Sequence, residues 1–307
     1  MLAAFLIVFP IFAAIAMGWG ASRYNILRQE TGNGVADYVF VVAIPLMLFR
    51  TLATAPLPAQ PPLAFWASYF LGLAIVWIAA AQIAVRGFGR GGQEAAIIGF
   101  TAAQSNMVLL GIPLVLRVFG DEAAVPLFLL VGVHLPVTMT VATILIETEN
   151  AGASKARTIV TRLGRNPVVM GIVAGGLFRL TGLDLPAPLL ALLKFIGDSA
   201  APCALFATGM ALSRHSIKGD RALLAVVAAL KLALLPALVF LFARYLFAVP
   251  PLWAGVATVL AGCPCGVNAY LLAERYRVAT GLASGAVSLS TLLAAGTATF
   301  LVWLLLP

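Results

Sequence analysis

The 307-residue chain is 62% hydrophobic and only 10% charged, with a mean hydropathy of +1.05. Soluble domains carry about 25% charged residues, so this composition excludes a soluble globular fold. The net charge of +8 could suit nucleic acid, but Lys and Arg gather in alternate loops between apolar runs, the positive-inside pattern of a multi-pass membrane protein; a lipid bilayer, and no nucleic acid, is the expected environment.

Apolar runs near twenty residues recur along the whole length, each enough for about 30 Å of hydrocarbon. The short alternating segments of a β-barrel are absent. Ten spans are predicted, at 1–20, 35–54, 63–85, 95–118, 123–146, 167–182, 188–212, 221–247, 252–273 and 279–306. The first has no basic stretch ahead of it and reads as a retained span rather than a cleaved leader. Spans 2 and 7 contain Pro45 and Pro202 and are expected to kink.

Thirteen of the nineteen basic residues fall in the loops after odd-numbered spans: Arg23, Arg28, Arg86, Arg90, Lys155, Arg157, Arg162, Arg165, Arg214, Lys218, Arg221, Arg275 and Arg277. Five lie on the other side, and Lys231 is left inside a span. The bias places the odd loops in the cytoplasm and both termini outside.

The longest polar linker, Glu147 to Asn166, divides the chain into 1–150 and 151–307. An offset of 157 superposes Pro10 on Pro167, Gly18 on Gly175, Pro45 on Pro202, Phe49 on Phe206 and Thr51 on Thr208. Further on, an offset of 162 superposes Asn106 on Asn268. Because five spans per half is an odd number, the second half enters the membrane from the opposite face. The expected fold is therefore an all-α membrane protein of ten transmembrane helices, built as two inverted five-helix repeats. That is a frequent architecture of secondary transporters with a site at mid-membrane.

Two segments interrupt otherwise plain hydrocarbon: Gln104-Ser105-Asn106 through Gly111 and Pro113 in span 4, and Gly262, Pro264, Gly266, Asn268 and Tyr270 in span 9. Proline removes a backbone donor and clashes with the preceding turn. Irregular backbone at membrane depth is tolerated only inside protein or beside water. Helices 4 and 9 are therefore expected to be broken and crossed, with Asn106 and Asn268 either orienting a solute or capping their own broken helices. Gln104, Ser105 and Tyr270 are further substrate-binding candidates. Gly111, Pro113, Gly262, Pro264 and Gly266 are the candidate break residues.

Charges inside spans are functional candidates. Asp198 could take a proton or cation, or pair with Lys194 four residues earlier. Lys231 could balance a substrate anion or meet a carbonyl inside the bundle. Asp37 reads as partly solvated and His134 as a satisfied interior histidine. Cys203, Cys263 and Cys265 read as small apolar fillers, and no metal site or cofactor is expected. The chain lacks the nucleophile elbow, zinc-protease and phosphate-cradle motifs, so no enzymatic activity is expected, and transport energy would come from gradients.

Asn106-x-x-x-x-Gly111-Ile112-Pro113 with Phe119-Gly120, Asn166-Pro167, and Ser199-Ala200-Ala201-Pro202 with Leu205-Phe206-x-x-Gly209 form a recurring set. Cys263-Pro264-x-x-x-Asn268-Ala269-Tyr270, followed by Ser288-x-Ser290-Thr291, completes it. Over essentially the full length this resembles the auxin efflux carrier family, in the superfamily that also holds bile-acid sodium symporters. With no long hydrophilic insert, it is similar to the compact bacterial members, the malonate and malate permeases. The resemblance implies a homodimer, with a scaffold of spans 1, 2, 6 and 7 and a transport unit of spans 3–5 and 8–10 moving as an elevator. It implies an organic-anion substrate, an auxin-like or malonate-like mono- or dicarboxylate. It also implies that Asn106, Pro113, Pro264 and Asn268 are crossover residues. Span 9 has no acidic residue before Glu274, which favours proton-linked transport or exchange over sodium coupling. The alternatives are a sodium-coupled symporter of a bile-acid-like or neutral solute, and a passive channel or membrane sensor.

Overall fold

The structure is a computed structural model that describes residues 1–54, 62–147, 167–213 and 220–305. Among the described residues every regular element is helical, and extended pairing is confined to one isolated antiparallel bridge, Ser105 with Cys265. In chain order the helices are α1 (Leu2–Arg23), α2 (Gln29–Thr54), α3 (Leu63–Phe88), α4 (Gly92–Ala103), α5 (Met107–Phe119), α6 (Asp121–Ile146), α7 (Pro167–Leu180), α8 (Ala187–Leu212), α9 (Arg221–Leu246), α10 (Pro251–Ala261), α11 (Val267–Tyr276) and α12 (Thr280–Leu305).

Seven of these, α1, α2, α3, α6, α8, α9 and α12, are long and apolar enough to cross a membrane singly. Helices α5, α7 and α10 are apolar but shorter. The expected span 4 is divided into α4 and α5, and the expected span 9 into α10 and α11. The linker from 148 to 166, with Lys155, Arg157, Arg162, Arg165 and Asn166, lies outside the described residues, as do Arg214 and Lys218.

Polarity is inverted relative to a soluble protein. Phe195, Leu2 and Leu180 are at least 70% exposed, whereas Gln104, Ser105, Asn106, His134, Thr138 and Lys231 are buried. An apolar exterior over a polar interior is stable only with lipid outside, since a continuous exposed apolar surface in water drives association. The protein is a multi-pass membrane protein.

Two helix pairs approach at backbone distance. Helix α1 packs on the second half of α8, and the second half of α2 on α7. A Cβ at Gly18 would fall on the Phe206 carbonyl oxygen, and one at Gly175 would meet the Phe49 carbonyl oxygen at 2.7 Å. Only glycine allows such approach, the small-residue packing typical of membrane helices.

Widened, π-type turns occur at Val39–Ala43, Met107–Gly111, Leu230–Leu234 and Phe242–Leu246. The first three end two residues before Pro45, Pro113 and Pro236. A proline ring clashes with the carbonyl four residues back, and a wider turn relieves the clash without ending the helix. This is why Pro45 leaves α2 continuous.

Candidate functional site

The two interruptions meet. Helix α4 ends at Ala103, Gln104 turns to extended backbone, and α5 begins at Met107. Helix α10 ends at Ala261, and α11 begins at Val267 behind Gly266. Between them the Asn106 N–H donates to the Pro264 carbonyl at 2.9 Å, and the Gly266 N–H donates to the Gln104 carbonyl at 2.9 Å. Each break thus satisfies backbone groups that the other leaves open, as buried backbone requires. A Cβ on Gly266 would press on the Gln104 side chain and the Ser105 carbonyl oxygen, so a larger residue here would push these atoms apart by a few tenths of an ångström. The first interruption lies at Gln104–Asn106, ahead of Gly111 and Pro113. Gly111 closes the widened turn back to the Asn106 carbonyl at 3.0 Å, and Pro113 opens the regular α-helical part of α5, Ile112–Phe119, directly after that turn. Gly262 follows the last turn of α10, and Pro264 lies within the second interruption.

A cavity of about 600 Å³ opens on one side of this crossing. Gln104, Ser105, Asn106, Asn268 and Tyr270 all line it. So do the first residues of two half-helices, Met107 and Val108 of α5 and Val267 of α11. Its opposite wall comes from α2 and α8, including Asn33, Phe40 and Ala207. Helix N-termini carry partial positive charge and unshared N–H groups, a setting that favours anions.

The polar groups at the first break are braced from several helices. The Thr138 hydroxyl of α6 lies 2.9 Å from Gln104 Oε1 and 2.7 Å from the His134 carbonyl oxygen. The Ser105 N–H points to His134 Nε2 at 3.4 Å, while His134 Nδ1 lies 3.2 Å from the Tyr69 hydroxyl of α3. With Nε2 accepting, Nδ1 carries the ring proton. Lys231, 0% exposed in the widened turn of α9, donates to Ser105 Oγ at 2.5 Å and to the Ala261 carbonyl at 2.8 Å. It therefore touches both interruptions. The second break is held mainly through its backbone: the Cys265 N–H donates to Ser290 Oγ at 3.0 Å.

Asp198 is not brought to the crossing. It pairs with Lys194 at 2.6 Å and with Arg50 at 3.5 Å on a half-exposed part of α8. His134, Asn33 and Glu274 line the cavity although the sequence singled out none of them as substrate-binding. Helical spacing around Pro136 gave His134 a place in the bundle but no partner, and Asn33 sits in a polar stretch ahead of the apolar run. Among the described residues no cluster of three or more His, Cys, Asp or Glu could hold a metal ion.

A protein of Rhizobium meliloti (strain 1021), provisionally named a malonate transporter, is 28% identical over 308 residues, spanning 97% of this chain and 95% of its own. The sequence profile described as membrane transport protein matches residues 3–302. The chain thus belongs to the membrane transport protein family, the family of the auxin efflux carriers.

Proposed function

We propose that the protein is a secondary carrier of a small organic anion, a mono- or dicarboxylate of the malonate kind, in a bacterial inner membrane. The observation that carries this reading is the cavity shared by the amide side chains of Gln104 and Asn106 at the first interruption, by Asn268 just after the second, and by the N-terminal ends of α5 and α11. Its volume of about 600 Å³ lies in the range of small-molecule sites. Two positive helix ends converging on it suit a carboxylate better than a neutral or cationic solute. The name of the Rhizobium relative points the same way.

Ten spans in two inverted repeats, 1–150 and 151–307, are part of the proposal. The contacts of Gly18 with Phe206 and of Gly175 with Phe49 exchange partners under the offset of 157 that aligns the halves. The two hydrogen bonds at the bridge, Asn106 to Pro264 and Gly266 to Gln104, exchange under an offset of 160. Helices α4 and α10, of 12 and 11 residues, rise about 17–18 Å, roughly half of a ~30 Å hydrocarbon core plus its near interface. That length supports a crossing near mid-membrane.

The close-packed set α1, α2, α7 and α8 serves as the scaffold, through which two copies would dimerise. Helices α3–α6 and α9–α12 move against it, carrying the crossing with them. Helix α2 begins after Arg28, and α11 ends at Tyr276 between Arg275 and Arg277. The positive-inside bias puts these ends in the cytoplasm and both termini outside. Because Asn33 and Glu274 line the cavity, this form is the inward-facing one. Proton-linked transport or exchange supplies the driving force.

Uptake of labelled malonate, malate and indole acetate into proteoliposomes tests the reading. Saturable flux of at least one carboxylate is expected, reduced about tenfold or more by Asn106→Ala and by Asn268→Ala, since losing one hydrogen bond to a charged group costs about 1.5–3 kcal/mol. Wild-type flux in both variants, at unchanged protein stability, overturns the site assignment.

A further inference from the structure

We propose that Glu274 sets the charge of the cargo: the cavity takes a carboxylate with one negative charge and an uncharged remainder, and a second negative charge on the same molecule is turned away. The inference rests on the carrier reading and narrows its substrate class to monoanions, the half-protonated form of a dicarboxylate included.

The formal charges on the cavity wall are lopsided. Among the described residues that line it, Glu274 alone carries one when His134 accepts at Nε2, and no Lys or Arg is present. Lys231 stands behind Ser105 rather than on the wall. A site that grips both ends of a dicarboxylate needs a cationic group at each, often the planar fork of an arginine. Here one carboxylate has the N-terminal ends of α5 and α11, and the other would meet a like charge. Specificity built on an unpaired charge against the wrong cargo is a general device.

Helix α11 sets the two ends of the cavity apart. Val267, Asn268, Leu271 and Glu274 all line it, a spacing that keeps them on one face of a helix. Asn268 lies in the first turn and Glu274 in the last, separated by about 9 Å of helical rise. The positive end of the helix points to the crossing and the negative end lies beside Glu274, so the carboxylate deepens a field that the backbone already makes. Apolar lining from Phe40, Val108, Ala207 and Leu271 suits an uncharged remainder.

Helix stability gives no reason for an acid at this place. A carboxylate in the last turn opposes the helix dipole, and among the described residues Glu274 forms no ion pair. The guanidinium of the adjacent Arg275 is turned onto the Tyr276 ring, 5.8 Å from its centroid, and neither Arg275 nor Arg277 lines the cavity.

The test uses full-length protein in proteoliposomes above neutral pH, where malonate carries both charges, and compares malonate with its monoamide, malonamate, which has nearly the same size and one charge. The wild type is expected to transport malonamate with kcat/KM about tenfold above malonate. Like charges ~6–9 Å apart, between the dielectric of water and that of a protein surface, repel by this order. Glu274→Gln keeps the size, removes the charge and is expected to close the gap, raising malonate relative to malonamate about tenfold. It should unfold at the wild-type temperature or above, since the dipole is no longer opposed. Glu274→Asp should keep the preference and Glu274→Lys should invert it. Higher salt should narrow the wild-type gap, because Glu274 is exposed. A purely structural glutamate would instead lower the unfolding temperature on substitution and reduce both fluxes alike. A malonate-to-malonamate ratio in Glu274→Gln within about twofold of the wild-type ratio overturns the proposal, as does a wild type that prefers the dianion. A wild type that carries neither compound defeats the carrier reading for this cargo instead. The rise in unfolding temperature that each compound causes in detergent then decides the charge rule: a larger rise with malonamate that Glu274→Gln levels supports it, and equal rises, or none, overturn it.

Discussion

The two interruptions have the same geometry and different chemistry. Each is a short extended stretch between two half-helices, and each donates one N–H to a carbonyl of the other. The first is rich in side-chain function: Gln104 meets Thr138, Ser105 meets Lys231, and Asn106 faces the cavity. The second is Gly262, Cys263, Pro264, Cys265 and Gly266, and it is fixed through main-chain atoms, with Ser290 receiving the Cys265 N–H and Lys231 reaching the Ala261 carbonyl. Small residues in one segment let the other come close enough to use polar side chains. The difference teaches that two breaks can share one pattern of backbone hydrogen bonds while one is braced through side chains and the other through close backbone approach.

The largest expected effect separates backbone from side chain at Asn106. Asn106→Pro removes the N–H that joins the breaks and should lower stability by about 1–3 kcal/mol, the cost of orphaning the buried Pro264 acceptor and losing the bond, with flux abolished. Asn106→Ala keeps the N–H and should lose flux with little change in unfolding temperature. Equal unfolding temperatures for the two variants would break the comparison.

Next in size is the pair Gly18→Ala and Gly175→Ala. Each places a methyl group against a carbonyl oxygen and should destabilise by about 1–3 kcal/mol through overpacking. Similar losses, read as unfolding temperature in detergent, would sharpen the view that the halves are equivalent away from the breaks. A large loss at one position alone would count against it.

Ser290→Ala and Thr138→Val form a smaller and more discriminating pair. Ser290→Ala strips the partner from a buried N–H and should cost about 1–3 kcal/mol of stability, with flux reduced less than stability. Thr138→Val frees Gln104 and should cost about 0.5–1.5 kcal/mol, with a several-fold fall in flux at unchanged expression. Reversed outcomes would move recognition to the second break. The smallest effect is expected for Asp198→Asn. Its ion pairs are half-exposed and contribute no more than about 1 kcal/mol, and flux in proteoliposomes should stay within twofold of wild type.

Much of the fold was legible because lipid imposes simple rules. Apolar runs and their lengths follow from the cost of polar groups in hydrocarbon, and they located the helices to within a few residues, except that α2 begins at Gln29 where the span was expected from 35. The interrupted stretches were legible for the same reason, since Gly, Pro and Asn stand out against leucine and alanine. The exact point of the first interruption was not. Proline at 113 suggests a break beside it, whereas a widened turn absorbs the proline and the chain unwinds seven residues earlier, at Asn106 and before. Partners of buried polar groups were also hidden. Lys231 and Ser105 are 126 residues apart, and no periodicity connects them; His134 looked like an ordinary interior residue because its partners Tyr69 and Ser105 come from two other segments. Contacts that depend on how separate helices fold back on each other leave no local trace in a single sequence.

The hydrogen bonds at the bridge run between main-chain atoms, so the hinge point of the crossing is written in a part of the chain that every amino acid except proline supplies. Substitution can therefore rewrite the cavity wall without unfastening it. A lineage of such proteins could drift from one cargo to another by a handful of changes at the wall, with the mechanical joint inherited intact.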